Sequence, residues 1–225
     1  MTTRRDFIDR LAVGALAVSA MPLALDATPR LRGTTLASAS QDAWDVTWSA
    51  RLNTSKRALF DVPEVESGYG VWRASLWVRQ YQQVLGTDPR DTSTALVIRH
   101  NAIILAMQQA FWDRYEIGTV HKVTHPLTLE ATTRNPALLG AADGLPDPYA
   151  TFALDQFIAR GGIALACDLA LQDMVALIKN REKVSEAEAT KRARGWLVPG
   201  VIVQPSGVFA VLRAQEAGAM YIRAS

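Results

Sequence analysis

The chain has 225 residues, 49% hydrophobic and 20% charged, a globular composition that excludes disordered, collagen-like and coiled-coil classes. Its formal net charge of +2 is too near neutral for an electrostatic nucleic-acid binder, which carries a basic stripe. A single cysteine excludes an internal disulfide framework and a Cys-rich zinc site.

The first residues, Met1-Thr2-Thr3-Arg4-Arg5-Asp6-Phe7-Ile8, precede an apolar run from Leu11 to Leu25. An arginine pair in front of such a run reads as a twin-arginine export signal, addressed to the oxidising periplasm or beyond. The run contains Gly14, Ser19 and Pro22 and falls short of the roughly 20 residues a membrane span requires, so no stable span is expected after cleavage. Val18-Ser19-Ala20 and Ala37-Ser38-Ala39 both present small residues suited to cleavage. Residues 1–39 are accordingly assigned to signal and linker, and residues 40–225 to one domain with a single core.

In chain order, the alternation in residues 44–48 suits a strand, as does the apolar run at 56–62. A helix is expected from Gly68 to its stop at Gly86. Residues 94–100 (TALVIRH) form a nearly continuous apolar strand of the kind buried on both faces of a parallel sheet, and a helix is expected from Ala102 to about Tyr115. Residues 119–148 carry Pro126, Pro136, Pro146 and Pro148 and are too long for an ordinary connector, which marks them as an insertion over one end of the fold. Next come a helix at 150–159, a buried strand at 163–167, a helix at 169–179 and a charged one at 185–194. A buried strand at 200–203, a helix from Pro205-Ser206-Gly207 to Ala217, and a last strand at 219–222 close the chain. Strands alternating with helices give an α/β fold with a parallel sheet, and such sheets place ligands beyond the carboxyl ends of their strands. The residues at those ends are Asp61, His100, Cys167 and Ser206-Gly207.

Cys167 ends a strand where a helix begins, and the helix amides there favour a thiolate; the other reading is a small packed hydrophobe. Asp168 would cap that helix. His100 ends the preceding strand with Asn101 as a cap, and an imidazole beside the thiol could take its proton; the other reading is a histidine satisfied by backbone. Ser206 and Gly207 open a helix that could hold an anion, although a serine there more often only caps. His121 and His125 have the spacing of a zinc pair but lie in an extended stretch ending at Pro126, so no metal site is assigned. No phosphate loop, complete dinucleotide fingerprint or Gly-x-Ser-x-Gly elbow is present, and no cofactor is assigned.

Three segments, residues 96–107 (LVIRHNAIILAM), 161–171 (GGIALACDLAL) and 199–225 (PGVIVQPSGVFAVLRAQEAGAMYIRAS), together resemble the DsrE-like sulfur-relay family. The resemblance spans roughly residues 56–225. It implies a three-layer α/β/α sandwich with a mainly parallel five-stranded sheet, assembled as a homo-trimer or hexamer. It also implies a persulfide carried on the residue matched by Cys167, with His100 at a position where many members have histidine. Catalytic roles therefore fall to Cys167 and His100, and binding roles to Asn101, Ser206 and Gly207, with a sulfur donor and acceptor as partners. The alternative is a non-catalytic ligand-binding or assembly module of the same fold, and a hydrolase or metal enzyme using His100 with Asp61 is a third.

Overall fold

The apolar runs become the strands of one sheet: β1 (Lys56–Val62), β2 (Thr92–Ile98), β3 (Ile163–Cys167), β4 (Ile202–Gln204) and β5 (Met220–Arg223). This computed structural model describes residues 44–225; the twin-arginine motif, its apolar run and both cleavage motifs lie outside the described residues. The spatial order is β4-β3-β2-β1-β5, and all four pairings are parallel. The helices are α1 (Tyr69–Leu85), α2 (Gln109–Tyr115), α3 (Ile117–Val120), α4 (Leu154–Ala159), α5 (Asp168–Glu182), α6 (Glu186–Gly195) and α7 (Gly207–Glu216). Among the described residues no helix is long and apolar enough to cross a membrane.

Side chains alternate across a strand, and the three central strands are apolar on both sides. Phe60, Leu96, Ile98, Ala164 and Ala166 pack with α1 and α5, whereas Leu59, Ala95, Val97, Ile163 and Leu165 pack with α7 and Trp48. These two cores make the three-layer α/β/α arrangement. From β1 to β4 the chain steps in one direction and its connections cover the first face. From β4 it must return to the far side of β1, and α7 carries it back across β3, β2 and β1 on the other face. Opposite directions of travel put helices on opposite faces when every crossover has the same hand.

Two expected elements differ. Residues 44–48 do not make a strand: Thr47–Arg51 is a 3-10 turn, because the Asp45 carboxylate accepts from both the amide and the hydroxyl of Thr47 and curls the chain there. The helix expected from Ala102 begins only at Gln109, preceded by a 3-10 segment, His100–Ala106. The cause is tertiary: the Ala106 carbonyl accepts from Val198 N, and Gln108 N donates to the Trp196 carbonyl. Residues 102–107 are buried on every side, which leaves them no helical polar face.

Residues 119–148 are mostly irregular, as expected, and two contacts fix them. Fully buried Asn135 donates from Nδ2 to the carbonyls of Leu105 (3.1 Å) and Met107 (2.7 Å), while its Oδ1 accepts from Ala137 N. Gly118 lies so close to this segment that a Cβ would stand 2.2 Å from the Thr132 carbonyl oxygen. Both latches hold the segment against the β2–β3 connection.

In the next connection, between β3 and β4, Glu182 closes α5, accepts from Tyr115 Oη (2.5 Å) and pairs with Arg114 (2.7 Å) and Arg192. The bond from Tyr115 is the largest cause that holds its carboxyl at about 2 instead of 4.5, against the opposing effect of burial. A folded value below the unfolded one means that the cluster stabilises the fold above pH 4.5 and that its contribution disappears as pH falls towards about 2. Urea unfolding across that window should show stability falling with acid, and Glu182→Gln should flatten the slope; an equally steep slope in the variant would refute the assignment.

Candidate functional site

Asp61 occupies the penultimate position of β1, within its buried run Ala58–Val62, and is 1% exposed. A charge so placed requires a partner. Val97 is its register partner on β2, and Arg99, two residues on, returns to the same face. Arg99 donates Nε to Asp61 Oδ1 (2.7 Å) and Nη2 to Oδ2 (2.8 Å), a bidentate pair, and Tyr221 Oη of β5 donates to Oδ2 (2.9 Å). The bonds to Asp61 raise the Arg99 pKa above its usual value, against desolvation. Desolvation first, and the bond to Asp61 second, push the Tyr221 phenol up.

Gly207, the first residue of α7, makes room for this arrangement. A Cβ there would lie 2.4 Å from Arg99 Cδ, so only glycine lets the arginine stem lie along the helix. Asp61, Arg99, Tyr221 and Gln215 then line a cavity of about 310 Å³, completed by Val208, Val211 and Leu212 of α7. It lies at the carboxyl ends of β1 and β5, on the face that α7 covers. Open α/β sheets bind ligands beyond the carboxyl ends of their strands; the switch point itself, where β3 exits to one face and β4 to the other, lies at Cys167 and Gln204.

Cys167 stands at the N-cap of α5, 6% exposed, within the core packed under α1 and α5. It is a free thiol, and it makes no side-chain cap bond. Asp168 does not cap α5 either; it pairs with Arg194 of α6 at 3.0 Å and accepts from Gln172 at 3.1 Å. Gln204, the register partner of Cys167 on β4, is fully buried; its Nε2 donates to the carbonyls of Asp45 and Val203, and its Oε1 has no partner among the described residues.

His100 does not turn towards Cys167. Its backbone is left-handed (φ 52°), its side chain is 63% exposed, and Nδ1 lies 3.6 Å from Glu64 Oε1. Asn101, expected to cap a helix, donates instead to Glu64 Oε2 at 2.9 Å, and the cap position falls to Arg99, which has no side-chain cap bond. The neighbouring strands β2 and β3 therefore do bring a cation to the thiol's end of the sheet, but its charge is that of Arg99. Arg99 and Tyr221 are the residues sequence reasoning passed over. The signal for Arg99 was an aspartate in an apolar strand with a base at the end of the next strand.

Ser206 caps α7, its Oγ accepting from Phe209 N at 3.0 Å. His125 Nδ1 accepts from the amides of Leu127 and Thr128, which uses the ring to shape a turn. Among the described residues no three His, Cys, Asp or Glu side chains group so as to hold a metal ion.

No protein-family model matches the chain, and no curated protein matches it significantly. The burial of Cys167 has a direct consequence. A maleimide reagent should label the native thiol on the order of a hundredfold more slowly than the denatured one, because reaction requires local opening. Equal rates would show that the sulfur is open to solvent.

Proposed function

We propose that the chain is an exported DsrE-like domain that binds a small polar molecule at the carboxyl ends of β1 and β2, against Arg99 and Tyr221. The observation that carries this reading is the cavity of about 310 Å³ whose polar wall is the Asp61–Arg99–Tyr221 network. Arg99 spends Nε and Nη2 on Asp61, which leaves its remaining guanidinium donors for an acceptor on a ligand. Because Asp61 fixes the guanidinium plane, little side-chain entropy is lost on binding. Export through the twin-arginine route to the periplasm rests on Arg4-Arg5 and the apolar run behind them.

A second reading has a specific observation in its favour: Cys167 sits at the positive end of α5 and directly follows Ala166, whose register partner Ile98 directly precedes Arg99. In this reading Cys167 carries sulfane sulfur. Its thiolate attacks the outer sulfur of a donor persulfide, the donor S–S bond breaks, and the donor leaves as a thiolate while Cys167 becomes the persulfide. Burial of Cys167 weighs against it, because donor and acceptor must both reach the sulfur. Incubation with a small-molecule persulfide, followed by intact mass, separates the two. Binding alone predicts no added sulfur on the native protein. Addition of one sulfur atom that is lost in Cys167→Ser would make the relay the function and displace the first reading.

The same face supports a homo-oligomer, a trimer or hexamer on the family likeness. Every residue of the edge strand β5 is exposed, including Met220, Tyr221 and Ile222, and Val208 and Leu212 of α7 are exposed beside it. Exposed apolar side chains on an edge strand and on the helix beside it suit contact between copies, and copies joined there would close over the cavity. Leu212→Glu should lower the mass measured by sedimentation equilibrium without altering the circular dichroism spectrum. A wild-type chain that sediments as a monomer would refute the assembly.

A further inference from the structure

At the opposite end of the sheet, the amino-terminal ends of β1, β2 and β3 border a larger cavity, of about 850 Å³. Four guanidinium side chains line it: Arg51, Arg79, Arg90 and Arg160. No aspartate or glutamate among the described residues does. Only Arg90 is neutralised, by a bidentate pair with Asp88. Arg51 Nη2 donates to the carbonyls of Gly161 (3.0 Å) and Gly162 (3.4 Å), and Arg160 Nη2 to Ser75 Oγ (3.2 Å). Arg79 has neither ion pair nor hydrogen bond among the described residues.

Arg160 is the informative one. Desolvation, opposed by the charge of Asp155, lowers its pKa below the usual arginine value. Its one side-chain bond is to a neutral hydroxyl. Arg160 is solvent-exposed and has no ion pair among the described residues, so its guanidinium is open to an incoming anion. Further hydroxyls stand close by, with Thr54 and Ser93 bonded to each other at 2.8 Å. Asn53, Gln82 and Thr151 add neutral polar groups, and Val78, Phe152 and Phe157 supply an apolar part of the wall. Gly162 keeps that wall open: a Cβ there would lie 2.4 Å from the Phe157 ring, so glycine alone lets the turn into β3 pass over the ring.

We infer that this cavity is a second binding site, distinct from the carboxyl-end one, and that it takes an organic phosphate monoester with a compact apolar body. Three guanidinium groups without an acid in the wall call for more than one negative charge, and a phosphate monoester is largely dianionic at neutral pH. Arginine is the residue whose donor fork matches phosphate. The volume falls within the range of small-molecule pockets and exceeds what inorganic phosphate would fill, and the phenylalanine wall gives the ester group a place.

Phenyl phosphate is a suitable probe, titrated calorimetrically into the full chain with inorganic phosphate and benzoate as comparisons. Phenyl phosphate should bind, with inorganic phosphate and benzoate each at least about tenfold weaker, for want of the apolar body and of the second charge respectively. Arg160→Met and Arg79→Ala should each weaken binding about tenfold. Arg79 makes no bond whose loss could unfold the chain, so the test does not depend on Arg160. Arg99→Met, at the other end of the sheet, should leave the affinity unchanged. Failure of phenyl phosphate to bind at millimolar concentration would overturn the inference. So would benzoate binding more tightly than phenyl phosphate, full affinity in both arginine variants, or loss of binding in Arg99→Met, which would move the ligand to the carboxyl-end cavity.

Discussion

A carboxylate set inside the buried run of a central strand is the constraint around which this molecule is arranged. Asp61 cannot be hydrated where it lies, so the fold must bring it a cation and further donors. Arg99 supplies the cation from the neighbouring strand, and Tyr221 the donor from the strand on the other side. One side chain thus ties together β1, the end of β2 and β5. Removing only the arginine would leave a buried charge unanswered, a change that typically costs about 3–5 kcal/mol. Replacing the whole network with hydrocarbon would be far less disruptive, so its persistence in the structure needs a reason beyond stability, and a ligand-binding role provides one.

Topology explains why the network meets a cavity. Four strands are laid down in one direction, and the fifth returns to the other side of the first. The edge strand β5 has no neighbour beyond it and α7 is the only α-helix over this face among the described residues, so the cavity beside Asp61 stays open. The polar residues collect at the strand ends, Asp61 and Gln204 buried and Arg99 partly so, while the strand middles are hydrocarbon. The sheet is therefore an apolar plate with two chemically different rims. Asp61 already answers the cation at the carboxyl rim. At the amino rim most of the guanidinium groups are left without an acid.

Much of this was legible in the sequence. The strands beginning at Lys56 and Ile163 were read with their observed bounds, and the helix between Gly68 and Gly86 was announced by glycines that sit in left-handed conformations at both ends. Continuous apolar runs alternating with helical patterns were enough to give parallel layers. Local pattern failed where distant contacts set the backbone. The segment at 100–106 reads as helix from its apolar run, yet partners outside it claim its carbonyls: Trp112 bonds that of Ile104, Asn135 that of Leu105 and Val198 that of Ala106. The site was half legible for a similar reason. Strand ends pointed to the right neighbourhood, but successive residues project to opposite faces, so choosing His100 over Arg99 chose the wrong side of the sheet. Only knowing which strand lies beside β1, and in what register, identifies the base that Asp61 needs.

The last strand pairs with the first. Beyond it, Ala224 N donates to the Asp61 carbonyl and Ser225 Oγ accepts from the amide of Glu64. Contacts between residues so far apart in sequence can form only after synthesis has passed residue 223. Until residues 220–225 have emerged, β1 to β4 can stack, but the aspartate lacks its tyrosine and one edge of the sheet stays open. The first strand is thus clasped by the last, and a force that peels β5 from β1 would dismantle the carboxyl-end cavity while the other strands still hold.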